Sequence, residues 1–385
     1  MNGNRTSPSD QSRQCWSQMY DLPVEETVQW ASQQAWAIEM AQCQQDSQWH
    51  AEGDVWTHTV GVYEALQTDS TWSQLGPGEQ NSLLFAALLH DVAKPITTSL
   101  DPITGRVRSP KHAVKGESLA RNILANLSCP FSQREMICAL VRHHGAPVHL
   151  FTKPDSNLEA TRLSWLVNNR LLYHLAIADF RGRDSRRGDR NQDDLDLFAE
   201  LSSELGCFDS PYPFANDTAR LLAGRRELSS LHYVPHEDFR CKVTVMSGLP
   251  GTGKDTWIAK HASGVPVVSL DRIRSSENID PKKNQGRVVR AAREQCREYL
   301  RAETDFIINA TNTMRQTRKQ WIDLCLSYNA HVTIVYLEPS LETILDQNRS
   351  RERSVPISVI DRLRGKLQPP NQLEAHAVQW IAEEA

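Results

Sequence analysis

The stretch MSGLPGTGKDTW, Met246 to Trp257, constrains this 385-residue chain more than any other. An apolar, β-branched run, CKVTVMS, feeds directly into Gly248-x-x-x-x-Gly253-Lys254. Glycines there let successive backbone N–H groups turn onto one anion, and a helix starting at the loop adds its positive end. That chemistry needs a strand before the loop and a helix after it. This part of the chain is therefore predicted to be an α/β unit on a parallel sheet. Gly248, Gly251 and Gly253 shape the nucleotide loop, and Lys254 is expected to reach the β- and γ-phosphates. The eighth position, ordinarily a metal-binding Ser or Thr, is Asp255. A carboxylate is a good Mg²⁺ ligand, so Asp255 is expected to contact the Mg²⁺ of ATP or another NTP directly or through water, with Thr256 as the substitute.

Strand-like runs VPVVSL, DFIINA and HVTIVYL follow, separated by helical segments at 254–262, 284–302, 314–328 and 340–350. Such alternation fits a parallel sheet covered by helices, with sites at the C-terminal strand ends. Asp271 ends the second strand, where it can accept the proton of an attacking hydroxyl. Arg274, one helical turn on, can fork onto a neighbouring phosphate. The third strand ends in Thr311-Asn312, with Arg315 and Arg318 on the helix beyond. Thr311 and Asn312 are read as substrate contacts and Arg315 as a nucleotide contact. Arg349, Arg351 and Arg353, crowded together before a Pro, are read as a lid over the triphosphate.

The first half reads as an all-α domain. Apolar spacing of three and four runs through DLPVEETVQWASQQAWAIEM, VWTHTVGVYEAL, NSLLFAALLHDV, REMICALVRHH and LSWLVNNRLLYHLAIADF, without strand-like alternation. Pro- and aromatic-rich segments, GCFDSPYPFAND and SSLHYVPHEDFR, put a boundary near residue 235. The expected organisation is a disordered tail over 1–20, a helical domain over 21–235 and the α/β domain over 236–385. On the helices, His58, His90-Asp91, His112, His143-His144 and Asp179 appear in order. An imidazole beside a carboxylate can bind or bridge metals, and further histidines complete two sites. Lys94, one turn beyond Asp91, is placed to touch a phosphate, as are Arg181 and Arg183 after Asp179.

Composition sets the frame. Charged residues at 23% and hydrophobic ones at 39% fit a soluble globular chain long enough for two cores. No apolar run reaches the ~18 residues of a membrane helix, and the N-terminus lacks an apolar signal core. Eight scattered cysteines without a C-x-x-C pair suit reduced thiols in the cytoplasm and argue against a zinc ribbon. The net charge of −4 divides into an acidic first half, suited to cations, and a basic second half, suited to phosphates.

The second half resembles the 5′-OH polynucleotide kinases of phage and bacterial RNA repair. The likeness lies in the loop, LDRIR as a D-x-x-R motif, ATN after the third strand, and the Arg-rich segment before VPISVIDRL. It implies that Lys254 binds donor phosphates, Asp271 is the general base, Arg274 holds the phosphate next to the acceptor nucleotide, and the lid arginines stabilise the moving phosphoryl group. Asp255 departs from that pattern, and so does NATN, which lacks the acid often found before TN. The first half is similar to the HD phosphohydrolase superfamily. VWTHTV, FAALLHDVAKP and ADFRGR echo the HD domain appended to some tRNA nucleotidyltransferases. This resemblance implies His58, His90, Asp91 and Asp179 as core ligands, with His112, His143 and His144 extending them to a binuclear centre. It also implies one or two transition metals (Mn, Co, Ni, Cu or Fe), and action on 2′,3′-cyclic, 2′- and 3′-phosphates.

Together the halves resemble the bacterial bifunctional HD phosphohydrolase–polynucleotide kinases that heal RNA ends. The expected partners are RNA ends and a separate RNA ligase, since no K-x-D-G motif is present. DNA ends and a homodimer are left open. Two other readings compete. An HD nucleotidase fused to a small-molecule kinase would act on free nucleosides. A non-catalytic NTP-gated binding module would bind NTP without turnover.

Overall fold

The structure, a computed structural model, describes residues 16–20, 22–47, 50–183, 190–279, 285–351 and 354–383. The chain divides into two compact units, one ending at Pro213 and one running from Phe214 to Glu383.

Among the described residues the first unit is helical apart from an isolated bridge between Gln44 and Asp54 and a two-residue antiparallel hairpin, β1 (Ser99–Leu100) with β2 (Val107–Arg108), too short to show as alternation. Five helices carry the residues of interest: Val55–Gln67, Pro77–Leu89, His112–Asn126, Phe131–His143 and Asn169–Arg181. Local chemistry fixes their starts. The Asp54 carboxylate accepts the Thr57 N–H at 2.9 Å and the Asn168 side chain accepts the Leu171 N–H at 3.0 Å, each satisfying an otherwise unpaired helical donor. Pro77 supplies a preset φ at the start of its helix. The helices bury Val62, Tyr63, Leu83, Leu88, Val141 and Leu172 in one core.

Two expectations change here. Within the expected tail, Trp16–Tyr20 is a helix. Its Trp16 N–H donates to the Leu127 carbonyl at 2.7 Å and its ring lies 4.6 Å from Phe85. Burying Trp16 and Met19 contributes a few kcal/mol, roughly 2 each. Residues 1–15 lie outside the described residues. The helical spacing through DLPVEETVQWASQQAWAIEM resolves into two helices, Val24–Ser32 and Ala35–Ala41, separated where Gln34 turns extended.

The second unit is a five-stranded, all-parallel sheet in the order β4-β5-β3-β6-β7. The strands are β3 (Cys241–Ser247), β4 (Val267–Ser269), β5 (Phe306–Asn309), β6 (Ala330–Glu338) and β7 (Ala377–Ala382). Alternation sorts the strand side chains. Val243, Val245 and Ile308 pack with helices Gln285–Arg301 and Arg315–Leu326, while Met246, Ile307 and Val335 meet Ile258 on helix Lys254–His261. β7 escaped the sequence reading because, as an edge strand, it is only partly buried. The boundary also moves. Helix Asp217–Arg225 belongs to the second unit, where the buried Arg220 donates to the backbone carbonyls of Gln372, at 3.1 Å, and His376. The Pro- and aromatic-rich SSLHYVPHEDFR segment is thus inside that unit and not a linker before it.

Candidate functional site

In the first unit, helix ends bring distant residues together. His58 comes from the first turn of Val55–Gln67, and His90 and Asp91 from the end of Pro77–Leu89. His112 opens the helix His112–Asn126, His144 closes Phe131–His143, and Asp179 sits near the end of Asn169–Arg181. His58, His90 and Asp179 offer ligand atoms within 4.8 Å of one another, as do Asp91, His112 and His144. Asp91 joins the two groups: its Oδ2 lies 3.1 Å from His90 Nε2 and its Oδ1 3.4 Å from His112 Nε2.

The ring tautomers favour cations. His90, His112 and His144 each place Nδ1 against a backbone carbonyl, those of Ala87, Ser109 and Val141, at 2.7, 2.8 and 2.9 Å. A carbonyl only accepts, so Nδ1 carries the proton and Nε2 keeps a bare lone pair. His112 Nε2 and His144 Nε2 then face each other at 3.2 Å, and His90 Nε2 and Asp91 Oδ1 are buried without a hydrogen-bond partner. Lone pairs and carboxylate oxygens packed this way repel unless a cation sits between them. The donor set, imidazole nitrogen plus carboxylate oxygen, fits divalent transition metals.

Neighbouring charges hold Asp91 and Asp179 in ligating form, and burial does so for His144. Burial works against the Asp91 carboxylate, yet Lys94 keeps it well below the usual carboxylate range. Burial works likewise against Asp179, and Arg183 and His58 keep it low. Burial pushes His144 down to about 4, so it is neutral near pH 7. His58 is held above its ordinary value, against burial, by Asp179 at 3.0 Å and by Glu52. His58 Nδ1 lies 3.0 Å from Glu52 Oε1, but off the line of a well-formed hydrogen bond.

Several expected residues part company here. Lys94 Nζ is 2.7 Å from Asp91 Oδ2, and Arg183 is 2.6 Å from Asp179 Oδ2, so both cations border the clusters. Arg181 turns away onto Asp69, at 2.9 Å. His143 is outside both clusters among the described residues, because adjacent helix positions diverge by about 100°. Glu52 and His50 were missed. They form a third potential ligand group with His58, and His50 Nδ1 lies 2.7 Å from Glu52 Oε1. The signal was present as a His-x-Glu just before the Asp54 helix cap, outside any periodic pattern.

In the second unit the loop between β3 and helix Lys254–His261 has the expected glycine geometry. Gly248, Gly251 and Gly253 have φ of +145°, +86° and +82°. A Cβ at Gly248 would meet the Leu337 carbonyl at 2.6 Å, and one at Gly251 the Ile344 carbonyl at 2.8 Å. Lys254 Nζ donates to the carbonyls of Gly248 and Leu249, at 3.0 and 2.7 Å, and to Thr252 Oγ1 at 3.3 Å. Burial lowers Lys254 to about 8, although Asp255 and Asp271 oppose that shift. Asp255, though exposed, is held: Asn309 Nδ2 donates to its Oδ1 at 2.7 Å. Thr256 is exposed. Arg274 donates to Asp271 through one guanidinium nitrogen and to Gln285 Oε1, at 2.9 Å, through another.

The Thr-Asn segment serves the loop. Gly248 N–H donates to the Thr311 carbonyl at 2.8 Å. Asn312 is buried, with φ +45°, and its amide donates to the Met246 carbonyl at 2.8 Å. The Asn312 amide, expected at the substrate, is thus turned onto the backbone of β3. Arg318, fully buried, clasps Glu374 at 2.8 and 2.9 Å and the Asn312 carbonyl at 3.1 Å. Its neighbours Trp321, Ile322 and Cys325 are apolar at i+3, i+4 and i+7, a pattern that marked it as inward-facing. Arg315 is largely exposed, with Nε 3.9 Å from Glu374. Of the lid arginines, Arg349 pairs with Asp346 at 3.2 Å, and Arg351 is exposed but close enough to bear on Lys254. Arg353 lies outside the described residues.

Comparison with known proteins agrees with this geometry. A model of the HD domain matches residues 55–164, and a model of an AAA domain matches residues 243–370. The chain is thus a two-domain protein, an HD domain followed by a P-loop kinase-like domain. A CC-adding tRNA nucleotidyltransferase of Thermus thermophilus is 39% identical over 90 residues, 23% of this chain and 19% of its own length. An A-adding tRNA nucleotidyltransferase of Deinococcus radiodurans is 31% identical over 184 residues, 47% of this chain and 34% of its own. A protein of Autographa californica nuclear polyhedrosis virus, named as a bifunctional polynucleotide kinase/RNA ligase, is 26% identical over 133 residues, 30% of this chain and 19% of its own. The chain therefore spans about a third or less of each relative. This domain order and these relatives are consistent with the bifunctional HD phosphohydrolase–polynucleotide kinases. Among the described residues no helix is long and apolar enough to cross a membrane.

Proposed function

We propose that this chain heals broken RNA ends. Its HD domain removes a 2′,3′-cyclic, 2′- or 3′-phosphate, and its P-loop domain transfers the γ-phosphate of ATP or another NTP to a 5′-OH. The observation that carries the reading is the presence, on one chain, of converging imidazole lone pairs beside Asp91 and a glycine loop ending in Lys254, on a sheet whose strand β4 leads into Asp271. Ribonucleolytic breaks leave both kinds of end, and neither can be ligated as it stands. A separate RNA ligase is the partner this reading requires.

In the kinase domain, loop N–H groups and Lys254 hold the donor phosphates. The acceptor hydroxyl gives its proton to the Asp271 carboxylate while its oxygen bonds to the γ-phosphorus. The bond from that phosphorus to the β–γ bridging oxygen breaks, and NDP leaves. Arg274 leaves Asp271 to hold the acceptor's adjacent phosphate. The Asp271 side chain is 80% exposed, which leaves room for both exchanges. Asp255, held by Asn309, would help to hold the Mg²⁺ that accompanies the NTP.

In the HD domain, His58, His90, Asp179, Asp91, His112 and His144 would hold one or two metal ions, with Glu52 steadying His58. Bound metal supplies a low-pKa water and polarises the phosphoryl oxygens. Lys94 and Arg183 then turn from their carboxylates to the phosphate. The test is a short RNA with a 5′-OH and a 2′,3′-cyclic phosphate, incubated with ATP and Mg²⁺ or Mn²⁺ and weighed by mass spectrometry. Loss of the terminal phosphate at one end and gain of one at the other support the reading. Turnover of free nucleosides with untouched RNA would sink it.

A further inference from the structure

We infer that the outward face of helix Gln285–Arg301 is a track for the phosphate backbone of the acceptor strand, leading away from Asp271 and Arg274. This inference rests on the polynucleotide reading above and adds to it the path of the strand.

The helix reads QGRVVRAAREQCREYLR. Val288, Ala292, Cys296 and Leu300 form its buried stripe. At 100° per residue, Arg290, Arg293, Arg297 and Arg301 fall within an arc of about 80° beside that stripe, over about 17 Å of axis. Arg290 and Arg301 are exposed, and Arg293 and Arg297 are half-buried. Every cation of the helix is Arg and none is Lys. That choice suits repeated forked contacts to phosphate better than mere solvation, for which Lys serves as well.

Features that fit a strand lie before the row and along its middle. At the first residue of the helix, five before Arg290 in the sequence and outside the arc, Gln285 accepts from Arg274, the same guanidinium that donates to Asp271. Midway along the row, Arg293 and Arg297 line a cleft of about 470 Å³ shared with Gln320, Leu324 and Tyr328. The half-buried Tyr328 ring offers a face on which a base can stack. The acids nearby do not cancel the row. Asp323, in the cleft, is paired with Arg225 at 2.7 Å and with Lys319. Glu294 pairs with Arg297, and Glu298 lies about 60° beyond the arc. A mononucleotide could occupy only the start of such a row, whereas a strand meets all of it.

The test uses the full chain with Arg290, Arg293, Arg297 and Arg301 all changed to Gln. Kinase activity is measured on a 5′-OH RNA of about 15 nucleotides, within the reach of a single-strand site, and on a nucleoside 3′-phosphate, across a range of salt. The expected result is a KM for the RNA raised about tenfold or more. The slope of log KM against log salt should fall by about 2 to 3, near 0.7 for each lost phosphate contact. Activity on the nucleoside 3′-phosphate should stay at the wild-type level, which also reports an intact fold. Wild-type KM and salt slope for RNA in the variant, or equal losses on both acceptors, would overturn the inference alone. A wild type that phosphorylates neither acceptor would overturn the polynucleotide reading and this inference with it.

Discussion

Asn309 Nδ2 donates to Asp255 Oδ1 at 2.7 Å, joining positions 54 residues apart. The two departures in the loop region are therefore one contact. In P-loop enzymes a loop hydroxyl and a carboxylate from a strand beside the loop strand share the Mg²⁺. Here the carboxylate is on the loop, and a neutral amide ends β5, which pairs with β3. On the proposed reading the charge beside the Mg²⁺ would be kept, with the two roles exchanged.

Substitution at either position alone should upset that balance. Asp255→Ser removes the carboxylate, and Asn309→Asp sets a second one against the first. Each should weaken Mn²⁺-dependent ATP binding by about tenfold, the size of one charge-assisted interaction. The double variant rebuilds the usual arrangement and should recover most of the loss by calorimetry. Simple addition of the two losses would show that the positions act independently.

Lys254 sets a pH dependence. Its folded value of about 8 lies below the ordinary 10.5. Between those values the folded protein binds fewer protons than the unfolded chain, so this group's contribution to stability rises with pH across that window. Bound triphosphate needs the charged form. ATP binding should therefore take up a proton near pH 8, and affinity should fall above it. Titration calorimetry in buffers of different ionisation enthalpy reads the uptake, which Lys254→Met should abolish.

Glu52 supports His58 without belonging to the ligand groups proposed from sequence. Its carboxyl is brought down to about 2 by His58 and His50, against its partial burial. Glu52→Gln keeps the shape and removes the charge. Metal affinity of the HD domain should drop by about 10- to 100-fold, the usual weight of such a supporting carboxylate. Metal titration with unchanged circular dichroism checks this, and unchanged affinity would remove Glu52 from the site.

Arg318 holds the segment behind the phosphate loop. Arg318→Ala leaves Glu374 as a buried charge without its main partner, at a cost of about 3–5 kcal/mol. Urea unfolding of the kinase domain should show that loss, and Arg318→Lys should recover only part of it. A change below about 1 kcal/mol would assign the pair to surface electrostatics.

Much of this was readable in sequence because local rules carried it. The glycine loop needs positive φ at Gly248, Gly251 and Gly253, and it has them. The four strand-like runs became β3 to β6, and the His-Asp spacing predicted clusters that long-range packing assembled. What sequence could not settle depends on phase and on contacts across the chain. Helix rotation admits His144 and leaves His143 out. Arg181 and Arg183 diverge for the same reason, and Asp69, which captures Arg181, lies 112 residues away. The Asn309–Asp255 contact needed the pairing of β3 with β5.

The central claim is that two independent sites on one chain prepare the two ends of an RNA break. Its most direct test treats an RNA bearing a 5′-OH and a 2′,3′-cyclic phosphate with Asp91→Ala and with Lys254→Ala, followed by mass analysis of the products. Asp91→Ala should lose processing at the 3′ side and keep 5′ phosphorylation. Lys254→Ala should show the reverse. If both variants still process both ends, or if either abolishes both activities while its fold is intact, the two-site account is wrong.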